Sequence, residues 1–312
     1  MSENSEIASG IKRKAFDLGF SACGFAKAES IEELGPGFRD WLASGKAGEM
    51  NYLARNIKVR LNPDQLVEGA KTIISLAAGY FFPIPQHTPG NPRISRYAAG
   101  EDYHQVLKSR GKELLSWMQK EYGPMNGRVF TDSAPIFERE WARRAGIGWI
   151  GKNGCLIIPG AGSWFFLAEI IIDYEILPEA KPVAGQCGKC NRCIEACPTK
   201  ALASDGSMDP RKCISYLTIE LKSDIPDEFH GNWKDWIFGC DICQEVCPRN
   251  RNPVQTGIME FQPGPGFMAD RNIIRNLNSK SFRQLFDGTP VMRAGWSGIL
   301  RNFEFLERNA IP

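Results

Sequence analysis

Apolar residues recur three and four positions apart near the start of the chain: Ile7, Ile11, Ala15 and Leu18, then Phe38, Trp41 and Leu42. That period puts one face of a helix against a core. Residues 5–45 are therefore expected to be helical, broken at the Leu-Gly-Pro-Gly of 34–37. The pattern then changes. AKTIISLAAGYFF (70–82) is a short apolar run closed by Pro83, as for a buried strand. FPIPQHTPGNPR (82–93) holds four prolines and reads as a loop. Helical spacing returns over 100–123 and stops at Gly123–Pro124. RVFTD (128–132) predicts a short strand, and APIFEREWARRAG (134–146) a helix with proline near its start. CLIIP and SWFFLAEIIIDYEI add further strand. This mixture predicts an α/β domain over residues 1–180.

Composition shifts at PEAKPVAGQ (178–186), which reads as a linker. Cysteines fill the next part, giving a second domain over 181–255; a short basic segment, 256–312, is expected to pack on the core. No repeat of solenoid length is present. The chain has 312 residues, 43% hydrophobic and 24% charged, with net charge +2, as for an ordinary globular protein. The charge is uneven. From Arg249 onward nine Lys/Arg face five Asp/Glu, so that end is +4, and it is a candidate for contact with phosphate. The N-terminus lacks the apolar stretch of a signal peptide. The most apolar run, 163–172, carries Glu169 and is far shorter than a membrane span. Ten cysteines without a secretory signal point to a cytoplasmic protein that uses thiols for metal or redox chemistry.

The cysteines carry the strongest pattern. Cys187, Cys190, Cys193 and Cys197 follow the C-x2-C-x2-C-x3-C-P spacing of bacterial two-cluster ferredoxins. Cys240, Cys243 and Cys247 repeat it, with Cys213 as a first ligand moved upstream. In that spacing the cysteine before proline ligates the other cluster. One 4Fe–4S cluster is therefore assigned to Cys187, Cys190, Cys193 and Cys247, the other to Cys213, Cys240, Cys243 and Cys197. Structural zinc also favours C-x2-C pairs, but it explains neither the third cysteine of the first run nor the two Cys-Pro endings. Cys23 and Cys155 are left over and read as small buried hydrophobes.

GIGWIGKN (146–153) matches a dinucleotide fingerprint and, as far as Asn153, a Walker loop. Context rejects both, because a helix precedes the glycines and a strand follows them. The only histidines are His87, His104 and His230, which argues against an imidazole metal site. Asp102-Tyr103-His104 begins like a cobalamin-binding Asp-x-His-x-x-Gly loop, but position 107 is Leu. His104 is read as part of the polar face of the long helix. Asp132, between a predicted strand and helix, is a candidate acid. Its bland alternative is a helix cap, a task that Ser133 could take.

These stretches together resemble a known family: RYAAGEDYH (96–104), TDSAPIFERE (131–140), RAGIGWIGKN (144–153), GSWFFLAEI (162–170), CISYLTIE (213–220), GCDICQEVCP (239–248) and RAGWSGILRN (293–302). The chain is similar to the epoxyqueuosine reductases over roughly residues 10–303. The resemblance implies a reductive-dehalogenase-like N-terminal domain that holds cobalamin base-off, followed by the two-cluster ferredoxin-like domain. It implies reduction of the epoxide of epoxyqueuosine at the tRNA wobble position, with Asp132 as proton donor and a pKa raised by burial against the corrin. Corrin contacts are placed by resemblance at Asn56, Arg96, Tyr97, Asp132, Lys152, Ile157, Ser215 and Asp241. The expected partners are tRNA carrying epoxyqueuosine and a cellular electron donor such as a flavodoxin or ferredoxin system. A monomer away from membranes is expected.

Two departures stand out. Many family members continue into a helical-repeat extension, whereas this sequence stops at Pro312, which leaves the +4 end as a possible phosphate contact. Position 155 is Cys where Asn or Thr is expected. The competing readings are a soluble cobalamin-dependent dehalogenase-like reductase and a two-cluster electron carrier. The first is disfavoured by the TDSAP context and the missing export signal, the second by 180 residues ahead of the clusters.

Overall fold

The computed structural model describes residues 3–83, 90–178 and 180–309. His87 and the middle of the proline-rich loop lie outside the described residues. The first half is built on a four-stranded sheet of β1 (Ala22–Lys27), β2 (Thr72–Gly79), β3 (Gly127–Phe130) and β4 (Phe165–Ile172). Their spatial order is β1-β2-β4-β3, and every neighbouring pair is antiparallel. All eight residues of β2 are buried, which is why its sequence is apolar apart from Thr72 and Ser75.

Side chains alternate across the sheet. Ile74, Leu76 and Ala78 of β2 join Ala168 and Ile170 of β4 in a core completed by α1 (Glu3–Asp17) and the long helix α3 (Tyr103–Tyr122). On the other face Ile73, Ala77 and Ile171 meet Trp141 and Ala142 of α4 (Glu138–Arg144). Between α1 and α3 lies α2 (Gly35–Ala43).

Three local expectations change. The stretch read as helix contains β1, whose short Ala/Gly-rich sequence shows little period, yet it pairs with β2 over six positions. The Leu-Gly-Pro-Gly does not break a helix: Pro36 stands in the first turn of α2, where its missing N–H costs nothing. α4 begins at Glu138, later than the predicted 134, because Ile136 N–H closes a tight turn onto the Ala134 carbonyl at 2.8 Å. Neither Asp132 nor Ser133 caps α4; its N-cap residue is Phe137. The α and β mixture is as expected, with a wholly antiparallel sheet. The rule that places ligands at strand ends of parallel sheets therefore does not locate Asp132.

The second half has its own core. Ile214, Leu217, Trp236 and Phe238 pack against Ile299, Phe303 and Phe305 of the last helix, Gly295–Asn309. Asn302 Nδ2 donates to the carbonyls of Thr218 and Ile237, both at 2.8 Å. Two buried polar clusters lock the halves together. Asn250 accepts from Ser163 N at 2.7 Å and donates to Ser163 Oγ at 2.9 Å, while Gln244 donates to Tyr80 Oη at 3.2 Å. In the other, Asp241 accepts from Ser95 Oγ and from Arg96 N. Among the described residues no helix is long and apolar enough to cross a membrane.

Candidate active site

The spacing of the first cysteine run becomes a loop closed by the helix Arg192–Ala196, which packs on the helix Ile242–Glu245 of the second run. Cys187, Cys190, Cys193 and Cys247 line one cavity of about 300 Å³, together with Lys152, Asn153 and Ile157. Cys213 and Cys240 form a second neighbourhood with Cys197, whose charge both feel, and Cys243 joins through Cys240 and Cys213.

The donor set fits iron–sulfur cubanes. Backbone N–H groups point at the sulfurs: Ala201 at Cys197 (3.3 Å), Ile194 at Cys193, Ser215 and Tyr216 at Cys213, Ile242 at Cys240 and Arg249 at Cys247. A thiol is a weak acceptor, so this array suits metal-bound thiolate. Tetrahedral zinc would draw four sulfurs to ~2.3 Å from one point. Among the described residues no three His, Cys, Asp or Glu side chains converge on a single-ion site.

Cys23 is buried in the sheet core, as expected. Cys155 is not a passive core residue. It is hydrogen-bonded to Cys243, beside the second set.

The acid site lies where β3 ends. Asp132 has φ 43°, a left-handed conformation that is uncommon for a non-glycine residue. Its N–H donates to Glu138 Oε1. Its Oδ2 accepts from Tyr103 Oη at 2.6 Å and lies 3.3 Å from His104 Nε2. Tyr103 and His104 stand in the first turn of α3, whose cap Asp102 bonds His104 through the backbone N at 3.0 Å and Nδ1 at 2.6 Å. Burial pushes the Asp132 carboxyl up, but bonds from His104 and Tyr103 and the charges of His104 and Arg293 outweigh it and hold the group below its usual range. The raised pKa expected for Asp132 is not found in the protein alone. Burial pulls His104 down, but Asp102 and Asp132 override that and bring it to about 9. Burial and the Asp132 charge push Glu138 up to about 8. Below it Glu169, fully buried in β4 opposite Ser75, is pushed well up by burial and then by Glu138.

The residues expected to touch a corrin divide into three groups. Tyr97 feels the charges of both Asp132 and Asp241, so its ring links the acid site to the second cysteine set. Ser215 is half-buried two residues after Cys213, and Asn56 is exposed in a left-handed turn at φ 57°. Arg96 and Asp241 stand one step back: the Arg96 guanidinium donates to the Phe82 carbonyl at 2.9 Å, and Asp241 is 1% exposed. Lys152 and Ile157 line the first cysteine cavity instead, with Lys152 Nζ donating to Gly188 O at 2.9 Å, Cys190 O at 3.2 Å and Asn191 Oδ1 at 2.8 Å.

Residues 60–133 match the epoxyqueuosine reductase QueG family, and residues 186–250 match a 4Fe-4S double cluster binding domain. An epoxyqueuosine reductase from Cyclobacterium marinum is 43% identical over 304 residues, covering 96% of each chain. The chain belongs to the epoxyqueuosine reductase family. The solved epoxyqueuosine reductase of Streptococcus thermophilus superposes with TM-score 0.87 at 33% identity, over 96% of this chain and 80% of that one. An epoxyqueuosine reductase structure with an epoxyqueuosine-modified tRNA-Tyr stem loop gives TM-score 0.86 at 27% identity, over 97% of this chain and 81% of that one.

Within this family member, sequence reasoning missed His104, Glu138, Glu169 and Cys155 as neighbours of the chemistry. For His104 the sequence shows only that Asp102, two residues earlier, caps a helix; nothing in it ties that helix to Asp132.

Proposed function

We propose that this chain reduces the epoxide of epoxyqueuosine in tRNA to the alkene of queuosine, using two 4Fe–4S clusters and cobalamin. The observation that carries the reading is Tyr97, a buried residue near enough to feel the charges of both Asp132 and Asp241, the latter next to Cys240 in sequence. That supports an acid and an electron source acting near one residue. Residues 1–180 would hold the cobalamin, 181–255 the clusters, and 256–312 would support both.

Cys187, Cys190, Cys193 and Cys247 hold the outer cluster; Cys197, Cys213, Cys240 and Cys243 hold the inner one. Asn56, Tyr97 and Ser215 contact the corrin edge, and Arg96 and Asp241 fix the Tyr97 segment. Cobalamin, when bound, supplies a cobalt centre able to pass electrons to the epoxide. Asp132 protonates the departing oxygen, an aid worth typically 10²–10⁴-fold. Tyr103 orients that carboxyl. The substrate is tRNA, and a flavodoxin or ferredoxin system supplies electrons to a cytoplasmic monomer. Cluster thiolates and a tRNA substrate both suit that compartment.

The test is nucleoside mass analysis after anaerobic reconstitution with iron, sulfide and cobalamin, using tRNA that carries epoxyqueuosine. Queuosine formed only with cobalamin present supports the reading. No conversion by protein shown to hold both clusters and cobalamin counts against it.

A further inference from the structure

His104 has no part in the mechanism so far, yet the fold aims both of its ring nitrogens at carboxylates. Nδ1 is 2.6 Å from Asp102 Oδ1, and Nε2 is 3.3 Å from Asp132 Oδ2. The ring stacks on Tyr103 at 4.1 Å, and Tyr103 stacks on Phe166 at 4.2 Å, which fixes the imidazole between the two acids. A neutral imidazole has one N–H and can donate to only one carboxylate; the imidazolium donates to both. The geometry therefore selects the protonated ring.

We propose that His104 stores the proton that Asp132 delivers, so that the two side chains work as one acid with Asp102 as its anchor. The inference rests on the epoxide-reductase reading only for the identity of the proton acceptor. It resolves a conflict in the site. Asp132 has to act as an acid, but it is held ionised by its neighbours. The missing proton sits on His104, whose pKa is raised to about 9. Other charged groups around the pair are Lys108, which faces Asp102 from the next turn of α3, Glu138 across the loop, and Arg293 from the C-terminal segment. Lys108 and Arg293 favour ionised carboxylates. Glu138, pushed up to about 8, is mostly neutral at pH 7 and adds little charge.

Removing the epoxide oxygen takes two electrons and two protons and releases water and the alkene. The electrons come from the iron–sulfur reductant. Each proton passes from His104 Nε2 to Asp132 Oδ2 and on to the oxygen as its carbon bond breaks. Each delivery leaves a neutral imidazole. The His104 side chain is 29% exposed and can take the next proton from water.

Two measurements test this. In the full reconstituted chain, oxidised, the imidazole of His104 is titrated by NMR. It is expected to titrate near pH 9 in the wild type, and at least about one pH unit lower in Asp132→Asn. Titration at the free-imidazole value of about 6.5 would overturn the proposal. The second measurement is the single-turnover rate against pH. His104→Gln keeps a polar amide at the position but has no titratable proton. Its rate should lie within about threefold of wild type near pH 4 and fall at least ~100-fold behind by pH 8, as an isolated carboxylic acid loses its proton. An equal loss at every pH would show a structural role and sink the idea. If His104→Gln does not fold, Asp102→Asn takes its place: the basic limb should move down by about one pH unit, and an unmoved limb overturns the proposal. A wild type that leaves epoxyqueuosine intact would defeat the proposed function, while the NMR titration would still decide the pair.

Discussion

Asp241 holds the Arg96 backbone: the Arg96 N–H donates to Asp241 Oδ2 at 2.8 Å, and the hydroxyl of Ser95 donates to Oδ1. One carboxylate, next to the inner cluster ligand Cys240, thereby positions the segment that carries Tyr97. Asp241→Ala would remove the carboxylate that two donors use in a buried joint. Each group left unsatisfied costs ~1–3 kcal/mol, so the variant should lose up to about 2–6 kcal/mol in denaturant unfolding. Asp241→Asn can still accept the Arg96 N–H and should lose less than half as much. Equal losses would mean that charge, rather than bond geometry, sets the joint.

Glu169 lies in the middle of β4 at 0% exposure, and among the described residues neither carboxyl oxygen has a hydrogen-bond partner. Burial pushes its pKa well above the ordinary carboxylate range. An acid with a raised folded-state pKa leaves stability untouched at low pH. It then costs stability as pH rises past the unfolded value of about 4.3, because the unfolded chain ionises first. Glu169→Gln should remove that slope. At pH 8 it should be more stable than wild type by at least about 1.4 kcal/mol, the free energy of a tenfold change in acidity. Urea midpoints at pH 5 and pH 8 check this, and an unchanged difference between the two proteins would refute it.

How much of this was visible in the sequence depends on what each feature needs. The cluster ligands were legible because a cubane imposes a local spacing, and Cys187, Cys190 and Cys193 satisfy it within one loop. β2 was legible because burial on both faces demands a mostly apolar run. β1 was not, because Ala22–Lys27 owes its strand to pairing with β2, a contact about fifty residues away. Asp132 drew attention as a candidate acid from its place between strand and helix, but its neighbour His104 was read as a solvated helix position, since nothing local ties position 104 to position 132. Glu169 and Cys155 were missed for the same reason: each acquires its neighbour only when the chain closes.

Asn153 ends the glycine run that imitates a nucleotide loop. It is 7% exposed, lines the first cysteine cavity, and its Nδ2 has no partner among the described residues. An orphaned amide donor facing a cluster suits a bond to sulfur, and such bonds tune cluster potentials. Asn153→Leu should lower the midpoint potential of the outer cluster. A bond worth roughly 0.5–1.5 kcal/mol corresponds to about 20–65 mV for one electron. Redox titration followed by EPR checks it; a change in the inner cluster alone would contradict the placement.

The basic C-terminal end looked like a surface for phosphate, but the fold uses several of its charges internally. Arg271 and Arg275 pair with Glu307, and Arg293 pairs with Glu220 at 3.0 Å. Arg301 donates to the carbonyls of Leu221 at 2.6 Å, Ser223 at 2.8 Å and Leu217 at 2.9 Å, so its guanidinium ties the last helix to the ferredoxin-like core. A residue that binds phosphate would, when neutralised, reduce the dependence of RNA affinity on salt by nearly one counterion. Arg301→Gln should instead leave that slope unchanged and destabilise the chain. Hydrogen bonds from a charged donor contribute about 1.5–3 kcal/mol each, of which a glutamine recovers at most one or two, so a loss of roughly 2–4 kcal/mol is expected. Stem-loop RNA binding across a salt series, read beside thermal unfolding of the same variant, separates the two roles. A shallower slope with stability intact would return Arg301 to the RNA surface.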